Sequence, residues 1–157
     1  GKAFGMNIIA WSHNLTSEVC DMHNVKLVSS KELFEYSDIL SIHTKLSERT
    51  HGYINLEKIS MMKNSSILIN TSRGPIINEK DLIHAIKNRI ISGVGLDVYD
   101  IEPLPKNHEL RRLIKKYNVV LTPHVGYVSI ETYDKFHKGY VSCIKSFISG
   151  NPINVLN

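Results

Sequence analysis

A chain of 157 residues with net charge +4, of which 42% are hydrophobic and 22% charged, has the make-up of one globular unit with a buried core and too few charges for a solvated tail. The basic excess is spread along the chain except for Arg111, Arg112, Lys115 and Lys116 on a predicted helix. With no aromatics interleaved, that cluster reads as a solvated face and nucleic acid is not an expected partner.

No apolar run approaches the roughly 18 residues of a membrane span, so no membrane partner is expected. Cys20 and Cys143 lie far apart without metal-ligand spacing, and we read them as two free thiols of a cytoplasmic protein. The opening Gly1-Lys2-Ala3-Phe4-Gly5-Met6 reads as the end of a helix entering a strand, the pattern of a fragment.

Short apolar runs then alternate with amphipathic segments, the signature of strand and crossover-helix units around a parallel sheet. Strands are predicted at 6–11, 25–28, 39–43, 66–70, 93–98 and 119–122, mostly continuous apolar runs as expected where both faces are covered. Helices are predicted at 30–36, 55–62 and 78–87. In the last, Asn78 caps, Glu79 and Asp81 favour the positive helix start, and Leu82, Ile83 and Ile86 face the sheet. Pro123 forces a turn after the sixth strand. A final helix at about 129–149 places Tyr133, Phe136, Tyr140, Ile144 and Phe147 on one stripe, for which core packing is the default expectation, and Gly150-Asn151-Pro152 stops it.

Ligands of an open parallel sheet bind outside the carboxyl ends of its strands. Four polar turns follow such ends here: Thr71-Ser72-Arg73-Gly74-Pro75, Tyr99-Asp100-Ile101-Glu102-Pro103, Thr122-Pro123-His124-Val125-Gly126-Tyr127 and Ser12-His13-Asn14. A guanidinium can grip a carboxylate through two parallel hydrogen bonds, which suits Arg73 to a 2-oxo acid. A histidine beside a carboxylate can move a proton near neutral pH, which suits His124 with Glu102. Taken singly, Arg73 as a surface loop residue, Glu102 as a helix-start or turn residue and His124 as a satisfied loop histidine are the favoured readings.

Together, Ile-Asn-Thr-Ser-Arg-Gly-Pro, Gly-Leu-Asp-Val-Tyr-Asp-Ile-Glu-Pro-Leu and Leu-Thr-Pro-His-Val-Gly-Tyr resemble the D-isomer-specific 2-hydroxyacid dehydrogenases, in this order and across nearly the whole chain. The resemblance implies an α/β fold: a partial Rossmann-like, doubly wound parallel sheet missing its first strand and helix. Residues 1–157 would be an incomplete dinucleotide-binding domain, of which about 129–157 return toward a substrate domain. It implies Arg73 on the substrate carboxylate and carbonyl, His124 exchanging the proton on the 2-oxygen, and Glu102 holding and charging His124. Asp97 matches the contact to the nicotinamide carboxamide, with a structural Asp as the rival reading. Thr71, His124 and Gly126 fall where the family meets the cofactor, and the segment from His43 to Leu46 runs beside it. The glycine-rich pyrophosphate turn is not found among these residues.

At the first strand end, where an acidic residue commonly holds the ribose hydroxyls of NAD, the chain has Ser12-His13, so NAD and NADP are both open. Lys45 stands where the family usually has Pro. Glu102 replaces the amide of the formate dehydrogenase branch, making formate a poor substrate. The expectation is a fragment of an oxidoreductase passing hydride between NAD(P) and a small 2-oxo or 2-hydroxy acid, a homodimer at full length and inactive as these residues alone. The alternatives are a nicotinamide-sensing protein of the corepressor type and a truncated inactive relative. No metal is assigned.

Overall fold

In a computed structural model describing residues 1–156, the apolar runs form parallel strands joined by short helices. In chain order these are β1 (Ile9–Ala10), α1 (Ser17–Met22), β2 (Lys26–Leu27), α2 (Ser30–Tyr36), β3 (Ile39–Ile42), α3 (Leu56–Ser60), β4 (Ile67–Asn70), α4 (Glu79–Lys87), β5 (Gly93–Leu96), α5 (Glu109–Leu113), β6 (Val119–Leu121) and α6 (Ile130–Ile148). This is a Rossmann-like α/β architecture, as the sequence pattern implies.

Sequence-local chemistry sets the helix starts. Ser29 accepts from the Glu32 N–H while Glu32 reaches back to the Ser29 N–H, a complete capping box for α2. Asn78 accepts from the Asp81 N–H and starts α4 where predicted. Asp81 also accepts from the Leu56 N–H at 3.0 Å, fastening α4 to the start of α3.

The strands divide into two sheets: β1 pairs with β2, and separately β3-β4-β5-β6 pair in that order, all parallel. β3 therefore has one unpaired edge. Along the larger sheet, Leu40, Ile42, Leu68, Val94, Leu96 and Val119 are buried in one core with Phe34, Ile59, Leu82, Ile86 and Leu110 from α2–α5. The alternate positions are open: Ile39 is 44% and Val120 60% exposed. The expectation of strands covered on both faces thus fails at β3 and β6, because these helices pack on one face only.

The pair β1–β2 is shorter than predicted, two residues each, with Lys26 and Leu27 exposed. Its side chains have only one neighbouring strand to lean on. The basic cluster Arg111, Arg112, Lys115 and Lys116 is exposed, as a solvated face should be, but α5 ends before Lys115 and Lys116, and the Arg111 guanidinium also donates to Pro105 O (3.0 Å) and Leu104 O (2.8 Å), tying down the loop before α5.

Gly1–His124 is one compact unit, and a second begins at Val125. In the second unit α6 starts on Ser129, which accepts from the Thr132 N–H at 3.1 Å. None of its residues is buried. Tyr133, Phe136, Tyr140, Ile144 and Phe147 are 47–75% exposed. The expectation that this stripe packs into the chain's own core is overturned: a single helix has no partner surface within its own unit. Cys20 and Cys143 are free thiols, and among the described residues no helix is long and apolar enough to cross a membrane.

Candidate active site

The register of the larger sheet builds the site's platform. Ile42 is level with Asn70, Asn70 with Leu96, and Leu96 with Leu121, so four strands end in one row. The next residues, His43, Thr71, Asp97 and Thr122, follow directly along one rim. Asp97 is buried and accepts from the Thr122 hydroxyl at 2.5 Å, which links the ends of β5 and β6. At least one Asp97 oxygen therefore serves the structure, as the rival reading of this residue held.

Arg73 is presented by a turn that Asn70 organises from below. Asn70 is 1% exposed; its Oδ1 accepts from the Ser72 N–H (3.0 Å) and its amide donates to Arg73 O (2.8 Å). The Ser72 hydroxyl donates to Thr44 O at 2.5 Å, pinning the turn to the segment after β3. Gly74 then lies against the Tyr99–Asp100 peptide so closely that a Cβ would overlap it. The turn carrying Arg73 and the loop carrying Glu102 are thereby seated on one another.

In that loop Tyr99 is the anchor. Its phenol lies between Leu96 O (3.1 Å) and Thr122 O (2.8 Å), and its N–H donates to Glu102 Oε1 at 2.9 Å. The other oxygen, Oε2, is 2.6 Å from His124 Nδ1. A carboxylate held at one oxygen by backbone and at the other by Nδ1 fixes the imidazole's orientation. His124 itself sits at φ 56, a left-handed conformation that costs a non-glycine residue on the order of 1–2 kcal/mol and that places the ring on the rim beside Glu102.

Electrostatics separate Glu102 from its neighbours. Burial raises its proton affinity, but hydrogen bonds from His124 and the Tyr99 N–H, with the charges of His124 and Arg73, outweigh it and leave the carboxyl below the ordinary glutamate value. Asp100 is shifted the other way, chiefly by desolvation, against the opposing pull of His51 and His108. Burial likewise pushes up Glu79, which lies 3.1 Å from His108 Nε2. Of these three carboxyls, the one touching His124 is the one shifted toward its ionised form.

The other sequence-predicted residues take several positions. His43 is exposed with Nε2 2.9 Å from Ser41 Oγ, and Thr71 is exposed on the rim. Ser12 and His13 follow β1, with His13 against the rings of Trp11 and Tyr53. Gly126 falls in the second unit, two residues past His124. Sequence reasoning missed Asn70, Tyr99 and Thr122. The signal for Asn70, a polar residue closing an apolar strand before a turn, was present; nothing local marks the Tyr99 phenol as the bridge between two strand ends. Among the described residues no group of three His, Cys, Asp or Glu could hold a metal ion.

These strands form an in-register parallel sheet of an α/β protein whose rim carries a guanidinium and a carboxylate-held imidazole. Residues 1–126 match the family described as the D-isomer specific 2-hydroxyacid dehydrogenase, NAD binding domain, and the chain belongs to that family. It is 36% identical over 157 residues to a glyoxylate reductase of Korarchaeum cryptofilum, covering 99% of this chain and 46% of that protein. It is 31% identical over 156 residues to a hydroxypyruvate reductase of Blautia hydrogenotrophica, covering 99% and 47%. The apo-structure of D-lactate dehydrogenase from Escherichia coli superposes with a TM-score of 0.86 at 28% identity, covering 98% of this chain and 47% of that one. The chain spans about half the length of the curated relatives it matches.

Proposed function

We propose that these residues form the nucleotide-binding part and the acid–base group of a nicotinamide-dependent reductase of small 2-oxo acids, glyoxylate and hydroxypyruvate foremost, working reversibly on the D-2-hydroxy acid. The observation that carries the reading is the Tyr99–Glu102–His124 chain of hydrogen bonds on the same rim as Arg73.

The donor set suits a nicotinamide dinucleotide. Thr71 and His43 offer side-chain groups in the row just past the strand ends, and Asp97 is the carboxylate in that row. Ser12 and His13 would meet the adenosine ribose, His43 and Thr71 the middle of the molecule, and Asp97 the nicotinamide carboxamide. When bound, the reduced cofactor supplies a hydride to substrate C2. Arg73 grips the substrate carboxylate with two parallel hydrogen bonds and shares its positive field with the adjacent carbonyl oxygen. His124 Nε2 gives its proton to that oxygen as the hydride arrives at carbon, so the carbonyl becomes a hydroxyl. Glu102, bonded to Nδ1, keeps the ring aimed through the transfer.

The unpaired edge of β3 and the separate β1–β2 sheet support a further part of the reading: turnover requires a strand that joins the two sheets, and these residues alone are inactive. In the full-length protein the exposed stripe of α6 would be covered by a second domain or a second copy. The test is turnover of glyoxylate and hydroxypyruvate with reduced nicotinamide cofactor by the full gene product carrying these residues. Steady oxidation of the cofactor supports the reading; none with any small 2-oxo acid overturns it.

A further inference from the structure

At the starting end of the larger sheet, the length of β5 or roughly 13 Å from the rim that carries Arg73, the fold leaves a separate cleft. Its volume is about 330 Å³, enough for a small organic molecule. The link from α4 to β5 brings Arg89 and Ser92 to it, the turn before β4 Asn64 and Ser65, and the turn before β6 Lys116 and Asn118. Every one of these six residues can donate a hydrogen bond, and no carboxylate lines the cleft.

Among the described residues Arg89 and Lys116 take part in no ion pair and no side-chain hydrogen bond. Lys63 and Lys87, close to the cleft in the chain, are paired with Asp38 and Glu109, so the acids they hold are already neutralised. Two backbone features shape the walls. Asn118 rests on Gly93 so closely that a Cβ there would overlap its amide group, and its carbonyl accepts from the Val94 N–H at 2.9 Å. Arg89 stands at φ 54 just past α4, where the Ile90 N–H donates to Ala85 O at 2.9 Å. Glycine takes that left-handed position without strain and arginine does not. The strained position nonetheless carries a guanidinium, and it lies at the cleft.

A guanidinium can hold two phosphate oxygens in parallel, and an ammonium adds a compact second charge. Two unpaired cations match the charge of about −2 on a phosphate group near neutral pH, which is twice that of a carboxylate. We propose that this cleft is a second ligand site, taking a small molecule that carries a phosphate group between Arg89 and Lys116, with Ser92 and Asn118 as further donors. The site goes beyond the reaction assigned to the rim and does not depend on it.

The test is a titration of the full gene product with inorganic phosphate, ionic strength being held constant with sodium chloride, followed by backbone amide signals in two-dimensional NMR. Signals of Ser92, Gly93 and Asn118 are expected to move and to saturate at millimolar phosphate. They should do so equally in Arg73→Gln, which removes the rim's guanidinium. Arg89→Gln combined with Lys116→Gln should weaken binding at least about tenfold, the scale of one charge-assisted hydrogen bond. Arg89→Gly, which suits the left-handed position, should lose most of the binding and melt at or above the parent's temperature, so that the loss is not one of folding. Absence of saturating shifts at these three residues overturns the proposal, as does unchanged binding in the double variant. So does an Arg89→Gly chain that binds phosphate as the parent does, because the guanidinium would then serve only the end of α4.

Discussion

The β3–β6 sheet and the β1–β2 pair use the same device, parallel strands with polar residues just past their carboxyl ends, yet they are built to different tolerances. In the larger sheet four strand ends lie level, the core beneath is buried and apolar, and hydrogen bonds from Asn70 and Tyr99 fix the turns. In the pair, each strand contributes two residues, and the position of Ser12 and His13 depends on contacts between aromatic rings from distant segments. The proton transfer proposed for the larger sheet's rim would need atoms placed to fractions of an ångström, which this framework supplies.

Core substitution should break the comparison most visibly. Leu68→Ala, at a fully buried position, is expected to cost about 2–5 kcal/mol of stability in urea unfolding. Leu27→Ala, at a position 36% exposed, should cost less than about 1 kcal/mol. Equal losses would mean that the two sheets are not different in kind. Next in size is Gly74→Ala. Its Cβ must push apart the Arg73 turn and the Tyr99–Asp100 peptide, so we expect a loss of about 1–3 kcal/mol together with a raised KM for the oxo acid. A variant with unchanged stability and KM would show that the two loops are not seated on each other.

The smallest effect concerns pH. Because the folded-state proton affinity of Glu102 is lowered, its ionised form stabilises the fold. That contribution is complete above the ordinary glutamate range and is lost as pH falls through the lower folded value. Glu102→Gln should therefore be less stable than the parent at pH 7, with the gap narrowing in more acid solution. A gap that widens on acidification would reverse the assigned sign.

The same contrast explains what the sequence discloses. Arg73, Glu102 and His124 were legible because each stands in a short turn directly after an apolar run, and strand register alone then carries them to one rim. α4 was legible from Asn78 and its apolar spacing. The open faces of β3 and β6 were not, since an apolar run reads the same whether one helix layer covers it or two. α1 has a single buried residue, Cys20, and hence no periodic stripe to betray it. The Trp11–Tyr53 stack and the contact of Lys58 with the Tyr53 ring join segments whose meeting no local pattern encodes. The α6 stripe was legible as apolar but not as exposed, because periodicity reports a face and says nothing of what covers it.

The central claim is that His124, aligned by Glu102, gives the proton to the substrate oxygen, and the most direct measurement is kcat for glyoxylate reduction in His124→Ala alongside cofactor affinity by titration. Loss of about 10²–10⁴ in kcat with cofactor binding unchanged is the predicted result. A variant that turns over within a few-fold of the parent would contradict it, and the Tyr99–Glu102–His124 hydrogen bonds would then be a structural tie alone.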